Sequence, residues 1–198
     1  MFTSVPNLLT LSRIVLIPVV VALMFFPGKI AAWSACACFT VAAITDWFDG
    51  YLARSWKQVS PLGRFMDPIA DKLLVAAVLL MLVAADRLQG LAVVAAVIIL
   101  LREVLVSGLR EFLAELDVSV PVSRLAKWKT AIQMIALGFL IVGDYGPPDI
   151  PVLHIGIAGL WVAAGLTLFT GWDYLTAGMA HMKGPDISPP PDGPPPHA

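Results

Sequence analysis

The chain contains six apolar runs, which are separated by polar segments or by segments that contain Gly and Pro. They cover residues 8–26, 30–44, 73–85, 88–101, 130–143 and 152–171. A helix rises about 1.5 Å per residue, so about 20 residues cross the roughly 30 Å hydrocarbon core of a bilayer. Several runs are shorter, so the second is expected to continue through Asp46 and Asp49, and the third to begin near Asp67. The pattern therefore predicts an all-α integral membrane protein, a bundle of six helices.

The composition excludes a soluble globular protein. Hydrophobic residues make up 59% of the 198 residues and charged residues only 14%, whereas soluble domains carry nearer a quarter charged residues. The first apolar run is not expected to be a cleaved secretory signal, because Arg13 lies inside it and no small-residue cleavage site follows. We interpret it as a retained membrane helix.

Two segments differ from the apolar runs. Residues 102–129 mix polar and apolar positions and are expected to be helical to Leu116, with a turn at residues 117–121. Residues 183–198, "KGPDISPPPDGPPPHA", are too rich in proline to form a helix or a core. The sequence therefore predicts one transmembrane domain over residues 1–182 and a disordered Pro-rich tail over residues 183–198.

The basic residues are divided unevenly between the connections. Most of the 13 Lys and Arg lie near the second and fourth connections: Arg54, Lys57, Arg64, Lys72, Arg102, Arg110, Arg124, Lys127 and Lys129. Cytoplasmic connections of membrane proteins carry an excess of Lys and Arg. With six helices, this asymmetry predicts that both termini and these two connections are cytoplasmic.

Polar residues at the second connection form two stripes with helical spacing. The first consists of Asp46, Asp49, Gly50, Ala53 and Arg54, and the second of Gly63, Asp67 and Asp71. Residues three and four apart share one face of a helix. Residues 55–62, with Pro61 near their end, are expected to let the chain turn and bring the stripes face to face.

Four carboxylates at the edge of a low-dielectric layer repel one another unless a cation lies between them. Hard cations such as Mg²⁺ or Mn²⁺ favour carboxylate oxygen, and paired divalent ions serve phosphoryl transfer. Structural alternatives exist for single residues, since Asp46 or Asp49 could pair with Arg54 or Lys57. Asp71 could likewise pair with Lys72 or Arg64.

The pattern D-x2-D-G-x2-A-R-x8-G-x3-D-x3-D resembles the signature of the CDP-alcohol phosphotransferase family, and all eight defined positions match. The stretches "PNLLTLSRI", "REVLVSGLREFLAE" and "KWKTAIQMIAL" are similar to members that act on glycerol phosphate, and the likeness spans residues 5–140. The resemblance implies transfer of the phosphatidyl group from CDP-diacylglycerol to sn-glycerol 3-phosphate. The products would be phosphatidylglycerophosphate and CMP, in anionic phospholipid biosynthesis.

The resemblance also implies roles for single residues. Asp46 and Asp67 would bridge two divalent ions (Mg²⁺ or Mn²⁺), Asp49 would bind the first and Asp71 the second, and Asp71 would be the general base. Contacts to CDP-diacylglycerol are expected from Asn7, Thr10, Gly50, Ala53, Arg54, Ser60 and Gly63. Asn7 could instead be a plain helix cap.

The acceptor is a small dianion, and the remaining cations at the polar connections are Arg102, Arg110, Lys127 and Lys129. They are the candidate acceptor-binding residues, although Lys127 and Lys129 could simply anchor the chain near anionic headgroups. A pair between Arg102 and Glu103 is not expected, because adjacent helix residues diverge.

Expected partners are the two substrates, the lipid bilayer and a second copy of the chain in a homodimer, with no nucleic acid. The expected location is a bacterial-type inner (cell) membrane, multi-pass, with the active site cytoplasmic. One alternative keeps the chemistry but uses another acceptor: inositol phosphate, serine or phosphatidylglycerol. The other is a divalent-cation transporter, which predicts carboxylates near the bilayer midplane, whereas no acidic residue is expected deep in the fourth to sixth helices.

Overall fold

The computed structural model describes residues 5–56, 61–115 and 124–182. Within those residues the chain is helical and contains no strand, which confirms the all-α prediction and the count of six helices. The elements are α1 (Val5–Phe25), α2 (Lys29–Trp56), α3 (Pro61–Ala84), α4 (Leu91–Glu115), α5 (Arg124–Val142), a 3₁₀ turn (Gly143–Tyr145) and α6 (Val152–Met182).

Most helices extend beyond the apolar runs that predicted them. The second helix continues to Trp56 and the third begins at Pro61, so the turn predicted at residues 55–62 is wrong in its bounds. Residues 57–60, between the two helices, lie outside the described residues. Proline suits the first position of a helix, where its missing N–H costs no hydrogen bond. The polar stripes therefore belong to the helices themselves.

In the part of the chain that the structure describes, three helical segments are long and apolar enough to cross a membrane: Leu91–Ala114, Leu125–Tyr145 and Val152–Thr176. Thr10–Phe25 and Lys29–Thr45 are shorter apolar segments. Large apolar side chains in the middle of several helices are exposed, including Leu80, Leu101 and Ile135. Many large apolar side chains on the surface suit hydrocarbon rather than water.

The helices alternate in direction around a common core. Helix α1 packs against α2 and α3, α5 packs against α2 and α6, and α4 packs against α6. Fully buried Phe39, Leu79, Leu82, Ile99 and Leu140 fill the space between them. We call the end with the first residues of α1, α3 and α5 and the last residues of α2, α4 and α6 the polar end, and the opposite one the distal end.

The distal end is fastened by Arg87, just after α3. Here α3 ends in a turn in which the Arg87 N–H donates to the Leu82 carbonyl at 2.9 Å. Asp86 adopts φ 56° at that point, the left-handed conformation common at helix C-termini. The Arg87 side chain then donates to the Ile141 carbonyl near the end of α5. A cation favours the negative end of a helix, so this contact stabilises the join between α3 and α5.

Helices α5 and α6 pack closely at Gly156. A Cβ at this position would lie 2.8 Å from Leu140 Cγ and 3.1 Å from the Leu140 backbone nitrogen. Contacts under 3.0 Å require a shift of the neighbour, and overpacking of a core costs about 1–3 kcal/mol. The close approach therefore depends on the missing side chain.

We expect Gly156→Ala to destabilise the protein by about 1–3 kcal/mol because the added methyl group pushes α5 from α6. The control is Gly165→Ala on the same helix, where an added Cβ meets no atom within 4 Å. That change should be neutral or slightly stabilising, since alanine favours helix more than glycine does. Thermal unfolding of both variants in one detergent checks this, and equal unfolding temperatures would contradict it.

Two predictions fall outside the described residues. The turn at residues 117–121 and the Pro-rich tail at residues 183–198 stay predictions, as does the domain boundary at residue 182. Helix α4 does continue from the apolar run to Glu115, close to the expected end at Leu116.

Candidate active site

Both aspartate stripes lie on helical backbone at the polar end. The last turns of α2 include Asp46, Asp49, Gly50, Ala53 and Arg54, and the first turns of α3 include Gly63, Asp67 and Asp71. Of their side chains, only that of Asp71 is described. Among the described side chains no three potential metal ligands cluster, so the predicted convergence of the four carboxylates stays a prediction.

Asp71 forms an ion pair that the sequence did not suggest. Its Oδ1 accepts a hydrogen bond from Arg13 Nη1 on α1 at 2.6 Å. Arg13 is fully buried, whereas 47% of the Asp71 side chain is exposed. The pair thus joins the interior of the bundle to an accessible carboxylate.

Lys72 faces a different helix from its neighbour. Its Nζ donates to Ser107 Oγ on α4, while the Asp71 carboxylate is paired with Arg13. The side chain of Arg64, the other alternative partner for Asp71, lies outside the described residues. Ser107 Oγ in turn donates to Glu111 at 3.4 Å, one turn further along α4. Helix α3 is therefore held on one side by α1 and on another by α4, through adjacent residues.

A buried charged cluster joins α4 to α5. Glu103 Oε1 accepts from Lys129 Nζ and lies 3.5 Å from Arg102 Nη1. The expectation that Arg102 and Glu103 do not pair is wrong, because both side chains are long enough to bring their charged groups within 3.5 Å of each other. Lys129 is 3% exposed. Two cations share one carboxylate here, so the cluster carries an excess positive charge.

The same cluster reaches α6. Arg102 Nη2 donates to Thr170 Oγ1 at 3.2 Å, and its guanidinium lies 6.0 Å from the centre of the Tyr174 ring. Arg102 Nε is buried without a hydrogen-bond partner. Because Glu103 is twelve residues into α4, the expectation of no acidic residue deep in helices four to six is also wrong. Its pairing with two cations makes it unlike a carboxylate that lines a cation pathway.

The remaining acceptor candidates, Arg110 and Lys127, are exposed near the polar end. Each lies in the outer part of its helix, Arg110 towards the end of α4 and Lys127 in the first turn of α5. The four predicted acceptor residues therefore divide into two exposed cations and two that Glu103 holds. Only the exposed pair is accessible to a ligand from the aqueous side.

Among the donor candidates, Thr10 is buried in α1 at 2% exposure, while the Asn7 side chain and Ser60 lie outside the described residues. Sequence reasoning missed Arg13 and Glu103 as site residues. A signal existed for Arg13, because a single charge inside an apolar helix is costly and needs a partner. The partner itself, 58 residues away, could not be identified from the pattern.

Comparison with known proteins shows extensive similarity. The profile of the family described as CDP-alcohol phosphatidyltransferase matches residues 3–169. A Rickettsia typhi protein is 48% identical over 174 residues, 88% of this chain and 96% of the relative. A Shigella flexneri protein is 42% identical over 90% of this chain and 97% of the relative. A Cereibacter sphaeroides protein is 37% identical over 91% of this chain and 97% of the relative. All three relatives are named CDP-diacylglycerol–glycerol-3-phosphate 3-phosphatidyltransferase.

Proposed function

The chain belongs to the CDP-alcohol phosphatidyltransferase family, and we propose that it transfers the phosphatidyl group from CDP-diacylglycerol to sn-glycerol 3-phosphate. One observation carries the choice of substrates. Relatives that align with about nine-tenths of this chain at 37–48% identity share the name of that reaction. The match runs through α4 and α5, where the acceptor candidates lie, as well as through the aspartate motif.

The motif fits a pair of divalent ions by the chemistry of its donors. Four carboxylates are hard oxygen ligands, and the described one, Asp71, is accessible at the polar end. Asp46, Asp49, Asp67 and Asp71 would hold Mg²⁺ or Mn²⁺, which when bound would offset the charge of the diphosphate and make CMP a better leaving group.

The chain's own residues would bind the donor and move a proton. Gly50, Ala53 and Gly63 would leave room for the CDP group, and Arg54 would donate to a phosphate, for which its forked geometry is suited. The acceptor hydroxyl oxygen forms a bond to the phosphorus that carries diacylglycerol, and the bond from that phosphorus to CMP breaks. The hydroxyl proton would pass to Asp71, which acts as general base.

The polar end is a suitable place for this reaction. The acyl chains of the donor would stay beside the apolar faces of the helices, while its diphosphate would reach the aspartates at the membrane edge. Following the excess of Lys and Arg, we place the polar end and both termini on the cytoplasmic side of a bacterial-type inner membrane. We also propose a homodimer.

The acceptor phosphate would contact Arg110 and Lys127, the exposed cations of the candidate set. Arg102 and Lys129 would act at longer range, since Glu103 neutralises only one of their two charges. The dianionic acceptor would be attracted by the net positive charge of this cluster, because Coulomb attraction is stronger near a low-dielectric interior than in water.

Arg110→Ala should raise the KM for glycerol 3-phosphate about tenfold or more and change the KM for CDP-diacylglycerol much less, because charged hydrogen bonds contribute about 1.5–3 kcal/mol. Steady-state kinetics with each substrate varied in turn measures this. Lys29→Ala, which removes an exposed cation at the distal end, is the control. Equal increases in both KM values would contradict an acceptor contact.

The proposed function is tested by purifying the full chain in detergent and supplying CDP-diacylglycerol with a panel of acceptors. We expect CMP release and a phosphatidylglycerophosphate product with glycerol 3-phosphate. Turnover with serine, inositol phosphate or phosphatidylglycerol, but not with glycerol 3-phosphate, would replace the acceptor and keep the chemistry. No CMP release with any acceptor would overturn the proposal.

A further inference from the structure

Arg13 is a charged residue in the interior of the bundle. It lies eight residues after the start of α1, which corresponds to about 12 Å along the helix. Its side chain has 0% exposure. Burying an ion costs several kcal/mol unless a close partner and further hydrogen bonds offset the cost. The short contact to Asp71 supplies one such partner.

The two members of this pair differ in their freedom to move. The guanidinium is enclosed by the bundle, whereas Asp71 is half exposed. A carboxylate at a helix surface can ordinarily exchange between rotamers. A fixed donor 2.6 Å from Oδ1 selects one of them, since charged hydrogen bonds are strong and directional. The buried residue therefore dictates the orientation of the accessible one.

Helix α1 contributes this contact although it carries none of the four aspartates. It packs against both α2 and α3, the two helices that carry the motif. Lys72, next to Asp71, is held separately by Ser107 on α4. The position of the α3 backbone thus has its own support, and the Arg13 contact acts on the Asp71 carboxylate in particular.

We propose that Arg13 is a positioning residue of the active site, whose buried guanidinium holds the Asp71 carboxylate in the orientation needed to bind a divalent ion and accept a proton. The inference rests on the role of Asp71 in the proposed function. Partners that orient a metal-binding side chain typically contribute 10–100-fold in metal affinity or activity. A residue that only joined α1 to α3 would contribute to stability and not to either of these.

The test uses Arg13→Met, which keeps much of the volume and removes the donors, and Arg13→Lys, which keeps the charge. Binding of Mn²⁺ to the full chain is measured by electron paramagnetic resonance without substrates, and kcat and KM are measured separately. We expect Arg13→Met to raise the Kd for Mn²⁺ and lower kcat by about 10–100-fold, with Arg13→Lys in between. Arg87→Met is the matched control, because it removes a partly buried arginine at the distal end. It should leave Mn²⁺ affinity unchanged.

A double-mutant cycle separates positioning from folding. In an Asp71→Asn background, Arg13→Met should change Mn²⁺ affinity by less than about twofold, because the carboxylate on which it acts is absent. The same loss in both backgrounds would overturn the proposal. So would a folded Arg13→Met protein with wild-type Mn²⁺ affinity and kcat. Should Arg13→Met not fold, Arg13→Lys decides in the same way: wild-type affinity and kcat in that variant overturn the proposal.

A failure of the proposed function would give a different experimental result from a failure of the inference about Arg13. A wild-type chain that binds Mn²⁺ but releases no CMP would count against phosphatidyl transfer, while the comparison of Mn²⁺ affinities would still decide the role of Arg13.

Discussion

Asp71→Asn is expected to lower the rate of phosphatidyl transfer by about 10²–10⁴-fold, the usual contribution of a general base, while the chain stays folded. The amide cannot accept the acceptor's proton and is a weaker ligand for a hard cation than a carboxylate. Its oxygen can still accept a hydrogen bond from Arg13 Nη1, which in the wild-type protein donates to Asp71 Oδ1. Because the neutral amide no longer compensates the charge of buried Arg13, we also expect a lower unfolding temperature, but the retained hydrogen bond should keep the chain folded.

The measurement is CMP release at saturating concentrations of both substrates, with thermal unfolding recorded on the same preparation. Asp149→Asn serves as the control, because this exposed carboxylate follows α5 near the distal end. Activity within about twofold of wild type in Asp71→Asn would remove this residue from the mechanism.

Glu103→Gln should produce a large loss of stability at the polar end. It removes the carboxylate that compensates both Arg102 and Lys129, two cations with little exposure. Breaking a buried ion pair by removing one partner costs about 3–5 kcal/mol, because the other charge stays buried without compensation. Glutamine keeps the shape and an acceptor oxygen, so the effect is mainly that of the lost charge.

For a chain of this size, such a loss lowers the unfolding temperature by roughly 6 °C or more. Glu111→Gln is the matched control, since Glu111 lies eight residues further along α4 and is exposed. Adding Lys129→Met to Glu103→Gln should recover part of the stability, because one of the two uncompensated charges is then removed. An unchanged unfolding temperature in Glu103→Gln would show that the cluster is solvated well enough to tolerate its net charge.

The helices could be predicted from the apolar pattern because lipid requires about 20 apolar residues for each crossing. The residues at which α2 and α4 end could not be predicted in this way, since charged residues in their last turns continue the helix. Hydrophobicity marks where a segment meets hydrocarbon, whereas the end of a helix depends on caps and on neighbouring helices.

The candidate site could be predicted from the sequence only where its residues are close along the chain. The aspartate motif lies within residues 46–71 and has helical spacing. Arg13 and Asp71 are separated by 58 residues, and Lys129 and Glu103 by 26. No periodicity relates such positions, because their contact depends on how the helices pack. The neighbours Arg102 and Glu103 show the opposite error. The divergence of adjacent side chains on a helix was expected to prevent a pair, but these long side chains form one.

The adjacent residues Asp71 and Lys72 fix how far α3 is turned about its own axis. Successive residues of a helix point about 100° apart, and these two reach α1 and α4 respectively. Inserting or deleting one residue between Pro61 and Asp71 would rotate Pro61, Gly63 and the rest of the preceding segment by that angle relative to both anchors. Apart from Gly63 and Asp67, this stretch should therefore accept changes of side chain more readily than any change of length.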